Sequence, residues 1–255
     1  MFSFRSTIMA GAAMLVAATS LASAADLGGY NGSMKDGQAY MPAIQSNPSW
    51  YLRLDGAYSR HDDPAMTADG INDLTNTSFG NAWSVGGGVG RYIGKNARIE
   101  LTYDHRFEAD IKCAYQNGCC TVDGRVGLTS GLLLTSIYYD FDATRGFRPY
   151  IGIGLGAVNH RTKAGTADIT CCPCGTTATI EKNSDWSVAG ALMAGFSYQL
   201  RDRLHLDAGY RFLYLGGIAT GNVVDPTGPT VISSRIDVNE LHAHELRFGL
   251  RYDVW

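Results

Sequence analysis

Residues 97–108 constrain the fold of this chain more than any other segment does. One set of alternate positions holds Ala97, Ile99, Leu101, Tyr103, His105 and Phe107, and the other holds Arg98, Glu100, Thr102, Asp104, Arg106 and Glu108. A period of two residues indicates a β-strand with one largely apolar face and one charged face. An antiparallel sheet in water and a barrel wall in lipid both separate residues in this way, so the rest of the chain must distinguish them.

Seven other segments repeat this alternation, which predicts eight strands in total. They are residues 49–59, 81–93, 125–141, 148–161, 184–200, 204–215 and 241–255. In most of them one face carries large apolar residues, whereas the opposite face collects Gly, Ser, Ala and charge. The segment at 125–141 is less clear, because Leu132, Leu133 and Leu134 place apolar side chains on both faces.

The connections between these segments alternate in length. Residues 93–97, 142–147 and 201–203 form short turns, whereas residues 60–80, 109–124, 162–183 and 216–240 form long loops. Bacterial membrane barrels have short periplasmic turns and long extracellular loops. The sequence therefore predicts an all-β fold, an eight-stranded antiparallel up-and-down transmembrane barrel over residues 49–255.

The charged face is expected to line the barrel interior. Burying so many charges in a soluble core would demand near-complete pairing without an apolar core to offset their desolvation. In a membrane barrel the same charges form a polar lumen, and we expect them to be Arg53, Asp55, Arg98, Glu100, Asp104, Arg106, Asp207, Arg211, Glu245, Arg247 and Arg251. Two uses stay open. In the first, the charges pair across the lumen and plug it. In the second, the lumen is a narrow anion-leaning pore lined by Arg98, Arg106, Arg211, Arg247 and Arg251.

The first 24 residues have the pattern of a cleavable export signal. Arg5 lies in a short basic leader, an apolar run follows over residues 8–18, and small residues precede a cleavage point near Ala24. Residues 25–48 are rich in Gly and Pro and are expected to form an extended periplasmic lead-in. The net charge is −3 and there is no block of Lys or Arg, which argues against binding to nucleic acid.

All six cysteines fall in the second and third predicted loops and none in a predicted strand. They are Cys113, Cys119, Cys120, Cys171, Cys172 and Cys174. An even number of cysteines in an exported protein favours disulfides. Three cysteines per loop cannot all pair within their own loop, so full oxidation requires a bridge between loops. A thiolate metal site, with Cys-Cys-Pro-Cys at 171–174 and His160 near the same rim, is the alternative.

No other motif predicts catalysis or cofactor binding. His242 and His244 share one face of the last strand and Glu245 takes the other, so these three side chains do not converge. The glycine-rich segments 86–90 and 152–156 lack the spacing of phosphate-binding loops, and we interpret them as bent strands with room for bulky interior neighbours. We therefore expect no catalytic residue, no cofactor and no metal.

The whole pattern resembles a known group. The chain resembles the small outer-membrane barrels related to the OmpA transmembrane domain and the opacity-type surface proteins. The features that carry the resemblance are the signal peptide, the eight alternating segments, the run from Pro149 to Gly156 and the aromatic C-terminal residue. The resemblance implies the outer membrane of a Gram-negative bacterium and a non-enzymatic role in envelope integrity and surface interaction. It also implies outer-membrane lipid and lipopolysaccharide, the barrel-assembly machinery and host or neighbouring cell surfaces as partners. A narrow porin-like channel and a lipid-modifying enzyme are the alternatives.

Overall fold

The structure is a computed structural model that describes residues 49–62, 66–68, 75–117, 120–170, 175–224, 231–233, 236–238 and 240–254. The predicted signal peptide and lead-in, Cys119 and the cluster Cys171, Cys172 and Cys174 lie outside the described residues. Regular secondary structure in the described part is all β, and no helix there has the length and apolar character needed to cross a bilayer.

Eight long strands form one closed sheet. They are β1 (Trp50–His61), β2 (Ala82–Ile93), β3 (Ala97–Asn117), β4 (Cys120–Asp140), β5 (Phe147–Thr162), β6 (Asn183–Arg201), β7 (Leu204–Tyr214) and β8 (His242–Asp253). Each strand pairs antiparallel with the next strand in the chain. β8 pairs in turn with β1, for example through Leu54 and Leu250, and this pairing closes the cylinder. The predicted eight-stranded up-and-down barrel is confirmed.

The orientation of the strand faces is also confirmed. On β1, Leu54 is 62% exposed while its neighbour Asp55 is 4% exposed. On β3 and β8, Leu101 and Phe248 are exposed whereas Glu100 and Arg247 are buried. Because successive side chains of a strand point to opposite faces, the apolar set covers the outside of the barrel. A lipid-facing apolar band around a polar interior is the arrangement of a membrane barrel.

Aromatic residues mark the two ends of this apolar band. The exposed rings at the periplasmic end are Trp50, Tyr139, Phe141, Phe147, Tyr198 and Tyr252, and those at the outer end are Tyr58, Trp83, Phe107, Trp186 and Tyr210. Trp and Tyr concentrate at both membrane–water interfaces because their rings are amphipathic. The two rings of side chains therefore delimit the part of the barrel that spans the bilayer.

The periplasmic connections are the short turns that the sequence predicts. Gly94, Arg145 and Gly146 have positive φ angles of 69°, 53° and 81°. Glycine adopts this left-handed conformation without a steric penalty, which explains why two of these three residues are glycines.

The prediction of a long loop over residues 109–124 is wrong. β3 and β4 stay paired beyond the outer aromatic ring, from Ala109 opposite Leu128 to Asn117 opposite Cys120. A β-bulge between Arg106 and Ala109 reverses the faces of β3, so that its apolar residues turn inward where the outside changes from lipid to water. Continued backbone pairing satisfies the peptide groups above the membrane.

Short strands extend this hairpin into an extracellular sheet. Gly165–Thr170 pairs with β4 and with Gly175–Ile180, and Val223–Val224 adds to the latter. Val231–Ser233 pairs with Val223–Val224, and Thr75–Phe79 pairs with β3 on the other side. A separate small sheet contains Ile218–Ala219, Ile236–Val238 and Met66–Ala68. The predicted third loop, 162–183, therefore contains a β-hairpin.

Candidate functional site: the barrel lumen and the extracellular sheet

The lumen contains a network of buried ion pairs centred on Glu245 of β8. This side chain is fully buried and accepts hydrogen bonds from Arg106, Arg211 and Ser59, the Arg211 Nη2–Glu245 Oε2 distance being 2.5 Å. Arg211 also contacts Asp104 at 2.7 Å. The charge-assisted hydrogen bonds from two guanidinium groups and a hydroxyl offset the desolvation cost of burying this carboxylate.

The network continues towards the periplasmic end. Arg247 joins Asp104, at 3.5 Å, to Asp55, at 2.8 Å. Arg53 then connects Asp55, at 2.7 Å, to Glu100, at 2.5 Å. All eleven lumen residues named from the sequence are buried inside the barrel and are linked in this way.

Asp140 is a member of the network that sequence reasoning did not include. Its carboxylate lies 3.2 Å from Arg98 Nε, and Arg98 also contacts Glu100 at 2.9 Å. Asp140 shares a strand face with Leu132 and Leu134. Because these leucines make that face apolar, the sequence pattern did not assign Asp140 to the lumen. With Asp140 included, six arginines and six carboxylates form the arginine–carboxylate ion pairs of the described lumen.

Tyrosine rings hold the arginines nearest the periplasm. The Arg98 guanidinium carbon lies 4.3 Å from the centroid of Tyr138 and 4.9 Å from that of Tyr150. Tyr51 donates a hydrogen bond of 2.7 Å to Glu100 and stacks 5.2 Å from the guanidinium of Arg251. Cation–π contacts and charge-assisted hydrogen bonds therefore stabilise the observed positions of these long side chains.

One wall of the lumen is apolar, which the sequence analysis missed. The inward side chains of β4, β5 and β6 include Leu132, Leu134, Val158, Ala189 and Ala191. The charges come mainly from β1, β3, β7 and β8, so the arginines extend from a charged wall towards an apolar one. Leu132 and Leu134 alternate with the lipid-facing Leu133. Because this strand segment is apolar on both faces, its sequence does not indicate which face points into the lumen.

An apolar layer, here called the outer seal, closes the lumen on the extracellular side of the network. It consists of Phe79, Ile111, Leu128, Leu213, Leu215, Leu241 and Ala243, all members of one buried cluster. Leu213, Leu215, Leu241 and Ala243 are each at most 1% exposed. An eight-stranded barrel has an interior just wide enough for side chains to fill, and here arginines and leucines fill it.

The histidines divide between the inside and the outside of the barrel. His61 Nε2 accepts from Arg106 at 2.9 Å, and His160 Nδ1 lies 2.8 Å from Ser130 Oγ. His242 stacks on Phe212 and the His244 ring lies tilted beside it, both on the opposite strand face from Glu245. They therefore do not converge on one site, as the strand alternation predicts.

Ser130 and His160 form a pair that sequence reasoning did not find. The Ser130 hydroxyl donates to His160 Nδ1, and His160 Nε2 donates to the Leu215 carbonyl at 3.0 Å. A serine beside a histidine is the arrangement of a nucleophile and its base. Both residues are buried beneath the outer seal, and the histidine is oriented by a backbone carbonyl. This geometry ties the Leu215 segment to the barrel wall.

The extracellular sheet has an apolar inner face and a polar outer face. Val126, Ala167, Ala178, Ile180 and Val223 form a second buried cluster on the inner face. Thr166, Asp168, Thr177 and Thr179 are exposed on the outer face, and Thr177 donates to Asp168 at 2.9 Å. The apolar face packs the hairpins into one layer, and the opposite face of that layer presents polar groups.

The prediction that no cysteine lies in a strand is wrong for two of the six. Cys113 is part of β3, opposite Gly124, and Cys120 is the first residue of β4. The cause is the extension of β3 and β4 beyond the membrane, described above. The proposed disulfides remain a prediction.

Comparison with known proteins places this barrel in a family. Residues 89–229 match the family model of the Opacity family porin protein. An uncharacterised protein of Brucella suis is 29% identical over 94% of this chain and 95% of its own length. A putative adhesin of Rickettsia bellii is 26% identical over 82% of this chain and 89% of its own length.

Two further comparisons concern an opacity protein and a solved outer membrane protein. The opacity protein opA51 of Neisseria gonorrhoeae is 26% identical over 79% of this chain and 95% of its own length. The outer membrane protein OprG of Pseudomonas aeruginosa, a solved structure, matches with a TM-score of 0.49 and 13% identity, over 81% of this chain and 97% of OprG. The family match covers more than half of the chain, and this Gram-negative outer-membrane barrel therefore belongs to the Opacity family of porin proteins.

Proposed function

We propose that this protein is a non-enzymatic surface protein whose extracellular sheet contacts host or neighbouring cells. The observation that carries the proposal is the continuation of the barrel wall into a packed sheet with a polar outer face. Support also comes from the Rickettsia relative, which is described as a putative adhesin. A preorganised β-surface loses little conformational entropy on binding, which favours contact through the hairpin faces.

Adhesion of expressing cells tests this proposal. Surface expression in a non-adherent Gram-negative host is expected to increase attachment to cultured epithelial cells. The variant T166A/D168N/T179A alters the outer face of the hairpin and is expected to reduce that attachment. The matched variant D142N/T144A alters a periplasmic turn and is expected to leave it unchanged. Equal attachment by the empty host and the expressing cells, or by the hairpin variant and the wild type, would contradict the proposal.

A narrow channel is the second candidate, and the geometry of the lumen opposes it. Ions would have to pass the ion-pair network and then the outer seal, whose residues include the fully buried Leu213 and Leu241. An apolar constriction of this kind excludes water as well as ions. We infer that the barrel is closed at rest and that the charges serve to fill the lumen.

A lipid-modifying enzyme is the third candidate. The Ser130–His160 pair is the arrangement in the described residues that most resembles a nucleophile with its base, and it is buried. We therefore expect the mass spectrum of lipid A from expressing cells to match that of the empty host. A new acylation or deacylation product that disappears in the S130A variant would overturn this expectation.

The cysteines are proposed to link the two extracellular hairpins. Thr121 of β4 pairs with Thr170, and in the sequence Cys120 precedes the first while Cys171 follows the second. We propose a disulfide between Cys120 and a cysteine of the 171–174 cluster, with a stabilisation of about 2–4 kcal/mol against opening of the hairpins. Peptide mapping of unreduced protein is expected to yield the linked peptides. Six free thiols with stoichiometric zinc would contradict it.

A further inference from the structure

The periplasmic end of the barrel carries an excess of positive charge. The basic residues of its three turns and adjoining strand ends are Arg91, Lys95, Arg145, Arg148, Arg201 and Arg203, here called the periplasmic collar. The exposed acidic residues in the same segments are Asp142 and Asp202. The whole chain is net negative, at −3, so this local excess of positive charge does not follow from the composition.

The collar side chains have no ionic partner in the described part of the chain. The salt bridges among those residues involve none of the six, whereas every lumen arginine of the network has at least one carboxylate partner. Five of the six are exposed, and Arg148 is half-buried. Their charge is therefore directed at whatever surrounds this end of the barrel.

The collar lies directly beside the lipid-facing band. Arg91 stacks over Trp50 of the periplasmic aromatic ring, with 5.5 Å between the guanidinium carbon and the ring centroid. In the sequence, Arg145 lies in the turn between the exposed Phe141 and Phe147, and Arg201 follows the exposed Leu200. A strand residue advances the chain by about 3.3 Å, so such short turns end within the headgroup layer of the membrane.

We propose that the periplasmic collar binds the phosphate groups of anionic phospholipids in the periplasmic leaflet of the outer membrane. Arginine matches phosphate geometry through paired N–H donors, and the neighbouring aromatic rings sit at headgroup depth. Each Lys or Arg near an anionic membrane surface adds roughly fivefold to the affinity for it. Such contacts would fix the depth of the barrel in the bilayer, independently of any contact made by the extracellular sheet.

The test compares anionic and zwitterionic lipids at the protein surface. The folded barrel is reconstituted in phosphatidylcholine vesicles, and the association of spin-labelled phosphatidylglycerol relative to spin-labelled phosphatidylcholine is measured at low ionic strength. The collar variant K95Q/R145Q/R203Q removes one charge from each turn. The matched variant K112Q/R125Q/R161Q removes one exposed lysine and two exposed arginines from the extracellular side of β3, β4 and β5. Heat modifiability on an unboiled gel confirms that each variant is folded.

We expect the wild-type barrel to select phosphatidylglycerol severalfold, and high salt to abolish this preference. The collar variant is expected to bring the ratio close to one, while the extracellular variant keeps more than half of the preference. A wild-type ratio near one would overturn the proposal. Retention of the preference in the collar variant, or an equal loss in both variants, would overturn it as well, because net charge rather than the collar would then be responsible.

Discussion

Replacing Glu245 by glutamine isolates the energetic role of the lumen network. Glu245 is 0% exposed and bonded to Arg106, Arg211 and Ser59. The substitution preserves the shape of the side chain and removes one negative charge from the lumen. Arg211 keeps Asp104 at 2.7 Å, but the other bond of Arg106 in the described structure is to His61, which bears no negative charge.

The expected cost follows from this loss of compensation. Removing one partner of a buried ion pair destabilises a protein by about 3–5 kcal/mol, because the other charge stays buried. Since Arg211 keeps a carboxylate, we expect a value near the lower end, about 3 kcal/mol. Equilibrium unfolding in urea with the barrel in lipid vesicles measures this free energy.

Glu108→Gln is the matched control. Glu108 pairs with Lys163 at 2.6 Å, but their side chains are 45% and 59% exposed. An exposed pair contributes at most about 1 kcal/mol, so E108Q is expected to have little effect. In the double variant R106M/E245Q both charges are absent, and its cost should be smaller than the sum of the two single costs. If E245Q and E108Q lowered the free energy of unfolding equally, the buried pairs of Glu245 would contribute no more to stability than an exposed pair.

Two other predictions test the packing of the lumen. A Cβ on Gly86 would clash with the Asp104 carboxylate and the Tyr103 carbonyl, so Gly86→Ala should lower the free energy of unfolding by about 1–3 kcal/mol. Gly87→Ala is the control, because the nearest atom to a Cβ on Gly87 is a backbone oxygen at 3.2 Å. An equal loss of unfolding free energy in the two variants would refute the predicted clash at Gly86. Leu213→Ala, in the outer seal, should lower the free energy of unfolding in urea by about 2–5 kcal/mol. Leu155→Ala, on the lipid face, should lower it less, and a larger effect of Leu155→Ala would contradict the packing of the outer seal.

The barrel is predictable from the sequence because two environments act on alternate residues. Lipid on one side and a polar lumen on the other separate Leu101 from Glu100 and Phe248 from Arg247 in the sequence itself. The short turns give the connectivity, since antiparallel neighbours need few linking residues. Most of the charged lumen residues follow from the same alternation.

The outer seal and the extracellular sheet are not predictable in this way. Leu132 and Leu134 point inward beside the outward Leu133, so the pattern has no contrast at that place. Above the membrane the outside is water, and the apolar residues Ala109 and Ile111 point inward. The β-bulge after Arg106 reverses the inward and outward faces of β3. The reversal interrupts the alternation of polar and apolar residues, so the sequence pattern predicts that the strand ends too early.

Conductance of the purified barrel in a planar lipid bilayer tests most directly whether the lumen is closed. The ion-pair network and the outer seal together predict no sustained current at neutral pH, in the wild-type protein and in the extracellular variant K112Q/R125Q/R161Q alike. A steady conductance above a few tens of picosiemens, an order-of-magnitude threshold for a water-filled lumen, would contradict the account.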